Sequence, residues 1–317
     1  MNVYQTILNN SDAEMAVHIR LSQEINEDCL DKERIISFGE KFDIFPSNVK
    51  TVALEALEEI KSDEGYTVLC KAILYFMKNS LPLNCLMPPF EDGIKAEFAI
   101  FFPVWYMAQE NAEDMEHRGV PKDIISKSFA GICSCVEANK TFKGCIGTSA
   151  YFFWLPFHAH GKLFMINDFQ YEKKEFNGNP AIGIHIPSGT KLDVCQNLLS
   201  FKGALDFFAK YYPELKISGF VCESWLLSKE IEEVMGRKTN ISRFGDMFDR
   251  YDIGDTKGDA VYRFVYKLTP PYPELDDLPE DTTLRKNLKE YMKTGKRVYA
   301  CGGFITTEKL HDMLRNY

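Results

Sequence analysis

The stretch from Ala181 to Leu227 constrains the fold of this chain more than any other. Its first run, Ala181-Ile182-Gly183-Ile184-His185-Ile186, places isoleucine at every second position. That period of two predicts a half-buried strand. Pro187 has no backbone N–H to offer a ladder and ends it. Ser188-Gly189-Thr190-Lys191 reads as a short polar turn. Leu198, Phe201, Leu205 and Phe208, three, four and three residues apart, predict an amphipathic helix from about Asp193 to Tyr211. Ile217 to Cys222 reads as a second strand. Strand, turn, helix and strand in this order predict two parallel neighbours in one sheet, joined by a right-handed crossover. The turn amides and the helix N-terminus would then converge on one spot suited to a phosphate.

The rest of the chain divides into two halves of different pattern. Up to about Gly147 the periodicity is helical, with helices predicted over 12–25, 49–60, 63–78, 95–108 and 123–142. Met87-Pro88-Pro89 interrupts that half. From Tyr151 strands dominate. Residues 162–176 alternate and run into Asn177-Gly178, a hairpin signal. Val261 to Leu268 and Arg297 to Ile305 read as further strands, and Arg285 to Lys293 as a short helix. The acidic segment Glu274 to Asp281 reads as a solvated loop. The expected class is α+β: a helical N-terminal domain over residues 1–150 and a mixed sheet with flanking helices over 151–317.

Composition narrows the function. With 46 acidic against 37 basic residues the formal net charge is −9, which argues against a nucleic-acid partner. A local nest of amides would still hold a small anion. No apolar run approaches the roughly 18 residues that a membrane span needs, so no membrane partner is expected. The first residues, Met1 to Gln5, do not read as a leader, and the nine cysteines have no framework spacing. Reduced thiols in a cytoplasmic protein are therefore expected.

Four landmarks, in order over roughly residues 150–305, carry a family resemblance. They are His160-Gly161-Lys162-Leu163-Phe164 leading to Phe169-Gln170-Tyr171-Glu172; His185-Ile186-Pro187-Ser188-Gly189; Cys222-Glu223-Ser224-Trp225-Leu226-Leu227; and Leu278-Pro279-Glu280-Asp281-Thr282-Thr283-Leu284 ending in Gly302-Gly303-Phe304. With them the chain resembles the bacterial acyltransferase-domain proteins that join a helical N-terminal domain to a GNAT-like C-terminal domain. The resemblance implies a GNAT-like sheet and N-acyl transfer from acyl-CoA, as co-substrate, to a small-molecule amine acceptor. In that fold a central strand splays from its neighbour and pantetheine lies in the notch. Here the strands would be Ile182–Ile186 and Phe220–Glu223. Ile186, Ser188, Gly189, Thr190 and Lys191 would hold the cofactor. The chain departs from the GNAT pattern in having one glycine in this turn, and Asp193 stands near the helix start, where it is also an ordinary cap. The departure keeps an alternative open: a non-catalytic ligand-binding or sensor protein on a GNAT-like fold.

The candidate catalytic residues are His185 and Glu223. A histidine titrates in the range that suits a base for an amine proton. On an alternating strand His185 faces away from Ile184 and Ile186; its plain reading is a hydrogen-bonded structural histidine. Glu223 would act as base through a water; its plain reading is a solvated carboxylate at a strand end. Cys222 is a candidate nucleophile with His185 as partner, which would make a thiol hydrolase; otherwise it is a small core residue. Trp225 reads as packing, and Tyr251 and Tyr262 are candidate acids. His158 and His160 have no acidic ligand at metal spacing, so no metal is expected.

Overall fold

The computed structural model describes residues 3–316 and divides into two compact units, Met1–Phe164 and Met165–Tyr317. The first unit is helical: α1 (Val3–Asn10), α2 (Ala13–Leu21), α3 (Lys32–Phe42), α4 (Ser47–Lys61), α5 (Glu64–Lys78), α6 (Ile94–Phe98), α7 (Phe101–His117), α8 (Lys122–Lys143) and α9 (Leu155–Ala159). The side chains of Asp12, Asp31 and Asp63 accept first-turn amides and so start α2, α3 and α5. Helix α3 has no counterpart among the expected helices. Besides Gly39, the residues Ile35, Phe38 and Phe42 make up its buried face, between charged neighbours. Where one helix was expected over 95–108 there are two. Pro103 has no N–H for the carbonyl four residues back, and its ring clashes with it. The helix restarts, and the freed Ala99 carbonyl accepts the Cys70 thiol at 3.3 Å. Trp105 fills the centre of this unit, 5.1 Å from the rings of Phe38 and Phe101, and its indole N–H donates to the Ile35 carbonyl at 3.0 Å.

The second unit is built on a six-stranded mixed sheet. Its strands are β1 (Leu163–Ile166), β2 (Phe169–Phe176), β3 (Asn179–His185), β4 (Gly219–Ser224), β5 (Asp249–Tyr251) and β6 (Cys301–Thr306), in the order β1-β2-β3-β4-β6-β5. Asn177 and Gly178 close the β2–β3 hairpin with φ of 49° and 75°, the positive pair that a tight two-residue turn needs. β3 and β4 are parallel neighbours, as the opening motif predicts, whereas β2–β3, β4–β6 and β5–β6 are antiparallel. Between β3 and β4 the chain forms α10 (Val194–Tyr211), started by the Asp193 side chain on the Gln196 amide. Leu198, Phe201 and Phe208 are buried, as the spacing predicts, while Leu205 is only half-buried and Ala204 and Phe207 take the buried line beside it. Phe201 stacks on Phe220 at 5.2 Å, and the Tyr171 hydroxyl meets Ser200 Oγ at 2.7 Å.

Four helices complete this unit: α11 (Glu230–Met235), α12 (Asn240–Asp246), α13 (Thr283–Lys293) and α14 (Thr307–Asn316). One expectation here is corrected. The strand expected over Val261–Leu268 is a single π-helical turn, Tyr262–Tyr266, ended by Lys267 at φ 60°. Its β-branched and aromatic residues favour a strand locally. Packing overrides that preference: Val261, Val265 and Tyr266 enter one cluster with Ile231, Leu288 and Met292. The acidic segment is the exposed loop that its composition predicts, Leu278 alone being buried, and ion pairs tie it to α13. The ammonium of buried Lys289 donates to the carbonyls of Asp276 (2.8 Å) and Leu278 (2.9 Å) and pairs with Glu280 at 2.7 Å. Arg285 pairs with Asp281 and Lys293 with Asp276, both at 2.8 Å. The last strand is also shorter than expected, starting at Cys301 rather than Arg297.

Candidate active site

The site follows from where two strands stop pairing. β3 and β4 are joined at Ile182–Phe220 and Gly183–Val221. Both strands run on, β3 to His185 beside β2 and β4 to Ser224 beside β6, but their mutual ladder ends there. This unpaired stretch between the ends of β3 and β4, the notch, lies directly before the 186–191 turn and α10.

Register decides which side chains face the notch. Successive residues of a strand point to opposite faces. Ile182, Ile184, Phe220 and Cys222 lie on the face packed by α10. The ladder sets Gln170 opposite His185, Glu172 opposite Gly183, Gly183 beside Val221, and Gly302 between Glu223 and Tyr251. The other face of the sheet therefore carries His185, Glu172, Lys174, Glu223 and Tyr251 in one row.

The row is held by short contacts. His185 Nε2 meets Glu172 Oε2 at 2.9 Å. Lys174 Nζ donates to Glu223 Oε2 at 2.9 Å, and the Tyr251 hydroxyl donates to Glu223 Oε1 at 3.4 Å. Burial, and then the Glu223 charge beside it, pushes the Tyr251 phenol up to about 12, so it keeps its proton at neutral pH. Glycines lie under these side chains. A Cβ on Gly183 would stand 3.2 Å from Glu172 Cβ and Oε2, and a Cβ on Gly302 would strike the Tyr251 ring.

Each expected site residue can now be placed. His185 is half-buried at the end of β3, and Glu223 is more exposed near the end of β4. Counted on from the last β3–β4 pair, they fall at the same level on the two strands, and each is held by its own partner. Ile186 and Thr190 are half-buried; Ser188, Gly189 and Lys191 are exposed. Gly189 has φ 88°, and the Thr190 amide (3.2 Å) and hydroxyl (2.8 Å) both donate to the Pro187 carbonyl, which fixes the turn. Cys222 faces the packed side, away from His185, and burial followed by the Glu223 charge pushes its thiol up to about 12. That placement corrects the candidate nucleophile: the pair cannot meet. Trp225 is buried in the cluster around α13, as packing. His158 is buried with Nδ1 3.2 Å from the Ser128 carbonyl. Among the described residues no group of His, Cys, Asp or Glu is placed to hold a metal, and no helix is long and apolar enough to cross a membrane. In the helical unit a concavity of about 400 Å³ is lined by Glu59, Asp63, Glu64 and Lys95, and Lys95 pairs with Asp63 at 2.6 Å.

Glu172, Lys174 and Gly183 received no role from the sequence. Their signal was present: counting back from the Asn177-Gly178 turn sets Glu172 against Gly183 and Gln170 against His185.

The chain matches the family described as the GNAT-like C-terminal domain over residues 115–305, more than half its length. It belongs to that family. Solved structures share the fold of this GNAT-like protein along nearly the whole chain. An acyltransferase in complex with decanoyl-CoA superposes with a TM-score of 0.81 at 18% identity, covering 96% of this chain and 99% of the other. An acyltransferase in complex with CoA and 10C-teicoplanin gives 0.78 at 18% identity, with the same coverage. An acyltransferase in complex with decanoyl-CoA and teicoplanin gives 0.77 at 19% identity, again with 96% and 99% covered. No curated protein matches the chain.

Proposed function

We propose that this protein transfers an acyl group from acyl-CoA to an amine of a small-molecule acceptor. The parting of β3 from β4 after two residue pairs carries the reading. The parted edges suit an extended amide-bearing chain, which would lie as an added strand, as pantetheine does in the family that the sequence resembles. Ile186, Ser188, Gly189, Thr190 and Lys191 follow at the start of α10, where amides and the Lys191 cation favour a pyrophosphate. Asp193 already accepts the Gln196 amide, which offsets part of its repulsion. The decanoyl-CoA and teicoplanin complexes of similarly folded acyltransferases support the donor class and a small-molecule acceptor.

In this reading the amine nitrogen attacks the thioester carbonyl carbon. The C–N bond forms, the C–S bond breaks and the thiolate leaves with its electron pair. His185 takes the amine proton. Glu223, held by Lys174 and Tyr251, shapes the charge on the β4 side of the notch. The test is calorimetric titration with CoA and acyl-CoA, followed by thiol release with a panel of amines. His185→Ala should lower kcat by about 10²–10⁴-fold, the usual worth of a positioned base. Glu223→Gln should cost less than about tenfold by the same measure. Absence of CoA binding at millimolar concentration would overturn the reading. A second reading, a sensor that binds without turnover, is favoured by the single-glycine turn. Binding with no transfer to any amine would select it.

A further inference from the structure

Glu172 is an expensive residue for this sheet. It lies in the middle of β2, paired on the ladder with Gly183, and is only 9% exposed. Carboxylates are seldom buried unless something compensates the charge. Gly183 beneath it weakens a strand interior, because glycine loses most freedom on ordering and packs nothing. The two features make sense together. With no Cβ at 183, the Glu172 side chain lies across β3 and sets Oε2 2.9 Å from His185 Nε2. Lys174, two residues on and on the same face, spends its ammonium on Glu223 instead.

We infer that Glu172 is the positioning residue of His185. It fixes the ring and the nitrogen that carries its hydrogen. An ionised carboxylate only accepts hydrogen bonds. The 2.9 Å contact therefore puts an imidazole hydrogen on Nε2. When the ring takes the amine proton it becomes a cation facing the Glu172 carboxylate, and its charge is stabilised where it forms. The proton later leaves the ring for the departing thiolate or for water, which restores the neutral imidazole. Glu172 moves no proton and touches no substrate. The inference rests on His185 being the base of the proposed transfer.

The experiment has one arm that needs no substrate. In protein labelled with ¹⁵N-histidine, with the His185 signals assigned by their loss in His185→Ala, the resting ring should be the Nε2–H tautomer. In the second arm Glu172→Gln, which keeps size and removes charge, should lower kcat at least tenfold. KM for acyl-CoA should stay within twofold, the pattern of an interaction used in the transition state. An Nδ1–H tautomer in the wild-type protein overturns the inference. So does a kcat within twofold of wild type for Glu172→Gln. Full turnover by His185→Ala alongside an Nε2–H tautomer would sink the base assignment while leaving the contact real, and the inference would fall with it.

Discussion

Adding one carbon at Gly183 tests the packing logic of the site most directly. The substitution is Gly183→Ala. The backbone there has no left-handed conformation to forbid alanine. Replacing glycine in a strand favours folding by roughly 0.5–1 kcal/mol through the unfolded chain. Against this, the new Cβ would stand 3.2 Å from Glu172 Cβ and Oε2 and 3.6 Å from Lys174 Cδ. The carboxylate can swing away, but Glu172 Cβ is fixed by its own strand. Either the strands part by a few tenths of an ångström or Glu172 changes rotamer. Overpacking of this kind costs roughly 1–3 kcal/mol. The net expectation is a loss of about 1 kcal/mol, or roughly 3 °C in Tm for a unit of this size. The catalytic effect should be larger, because moving the carboxylate breaks its contact with His185. A kcat about tenfold lower with KM for acyl-CoA unchanged is expected. Scanning calorimetry and steady-state kinetics on the same preparation supply both numbers. If Tm and kcat both match wild type, Gly183 has no steric role and the account of the row above it is wrong.

Three further outcomes are expected. At Gly189, with φ 88° and nothing within 4 Å of a built Cβ, alanine reports backbone strain alone, about 1–2 kcal/mol of stability. Aspartate adds a like charge, so in titration calorimetry Gly189→Asp should bind CoA at least tenfold more weakly than Gly189→Ala; equal affinities would move the pyrophosphate elsewhere. Cys222, with its thiol pushed up to about 12, should stay unlabelled by iodoacetamide in the native protein while exposed Cys145 and Cys195 react, and equal labelling would contradict its placement. Ion pairs with Lys293, Lys289 and Arg285 hold the carboxyls of Asp276, Glu280 and Asp281 below their ordinary 3.8 and 4.5. A lowered carboxyl stabilises the fold fully above its ordinary value, and that contribution fades as pH falls through the folded one. Amide exchange over 274–281, corrected for intrinsic rate, should therefore quicken first on this strap below about pH 4; protection unchanged to the point of global unfolding would refute it.

Much of the sheet was legible because its signals are local. The isoleucines at 182, 184 and 186, Pro187, the cap at Asp193 and the Asn177-Gly178 turn each act within a few residues. Together they mark β2, β3, α10 and the parallel neighbour β4. Elements whose reason lies far away were not legible. The Val261–Leu268 run is held helical by Ile231, Leu288 and Met292, none of them near in sequence. Helix α3 shows too few apolar positions to be seen without Trp105, whose indole it receives at Ile35. At the site, the alternation that faces His185 away from Ile184 could be read directly. The pairing of His185 with Glu172 depends on a cross-strand register, which no local pattern in either strand shows by itself.

That register gives the Asn177-Gly178 turn a reach beyond its two residues. The turn works as a ruler: it counts out which residue of β3 stands against which residue of β2. Strand faces alternate strictly, so the count has only two results. As built, glycine falls under the carboxylate and the imidazole beside it. A single inserted residue would bring Ile182 and Ile184 to the polar row and turn His185 into the layer filled by Phe201 and Phe220. Drift in this surface turn would therefore not grade the chemistry up or down. It would switch the row on or off, and the switch would be held by residues seven and eight positions before His185.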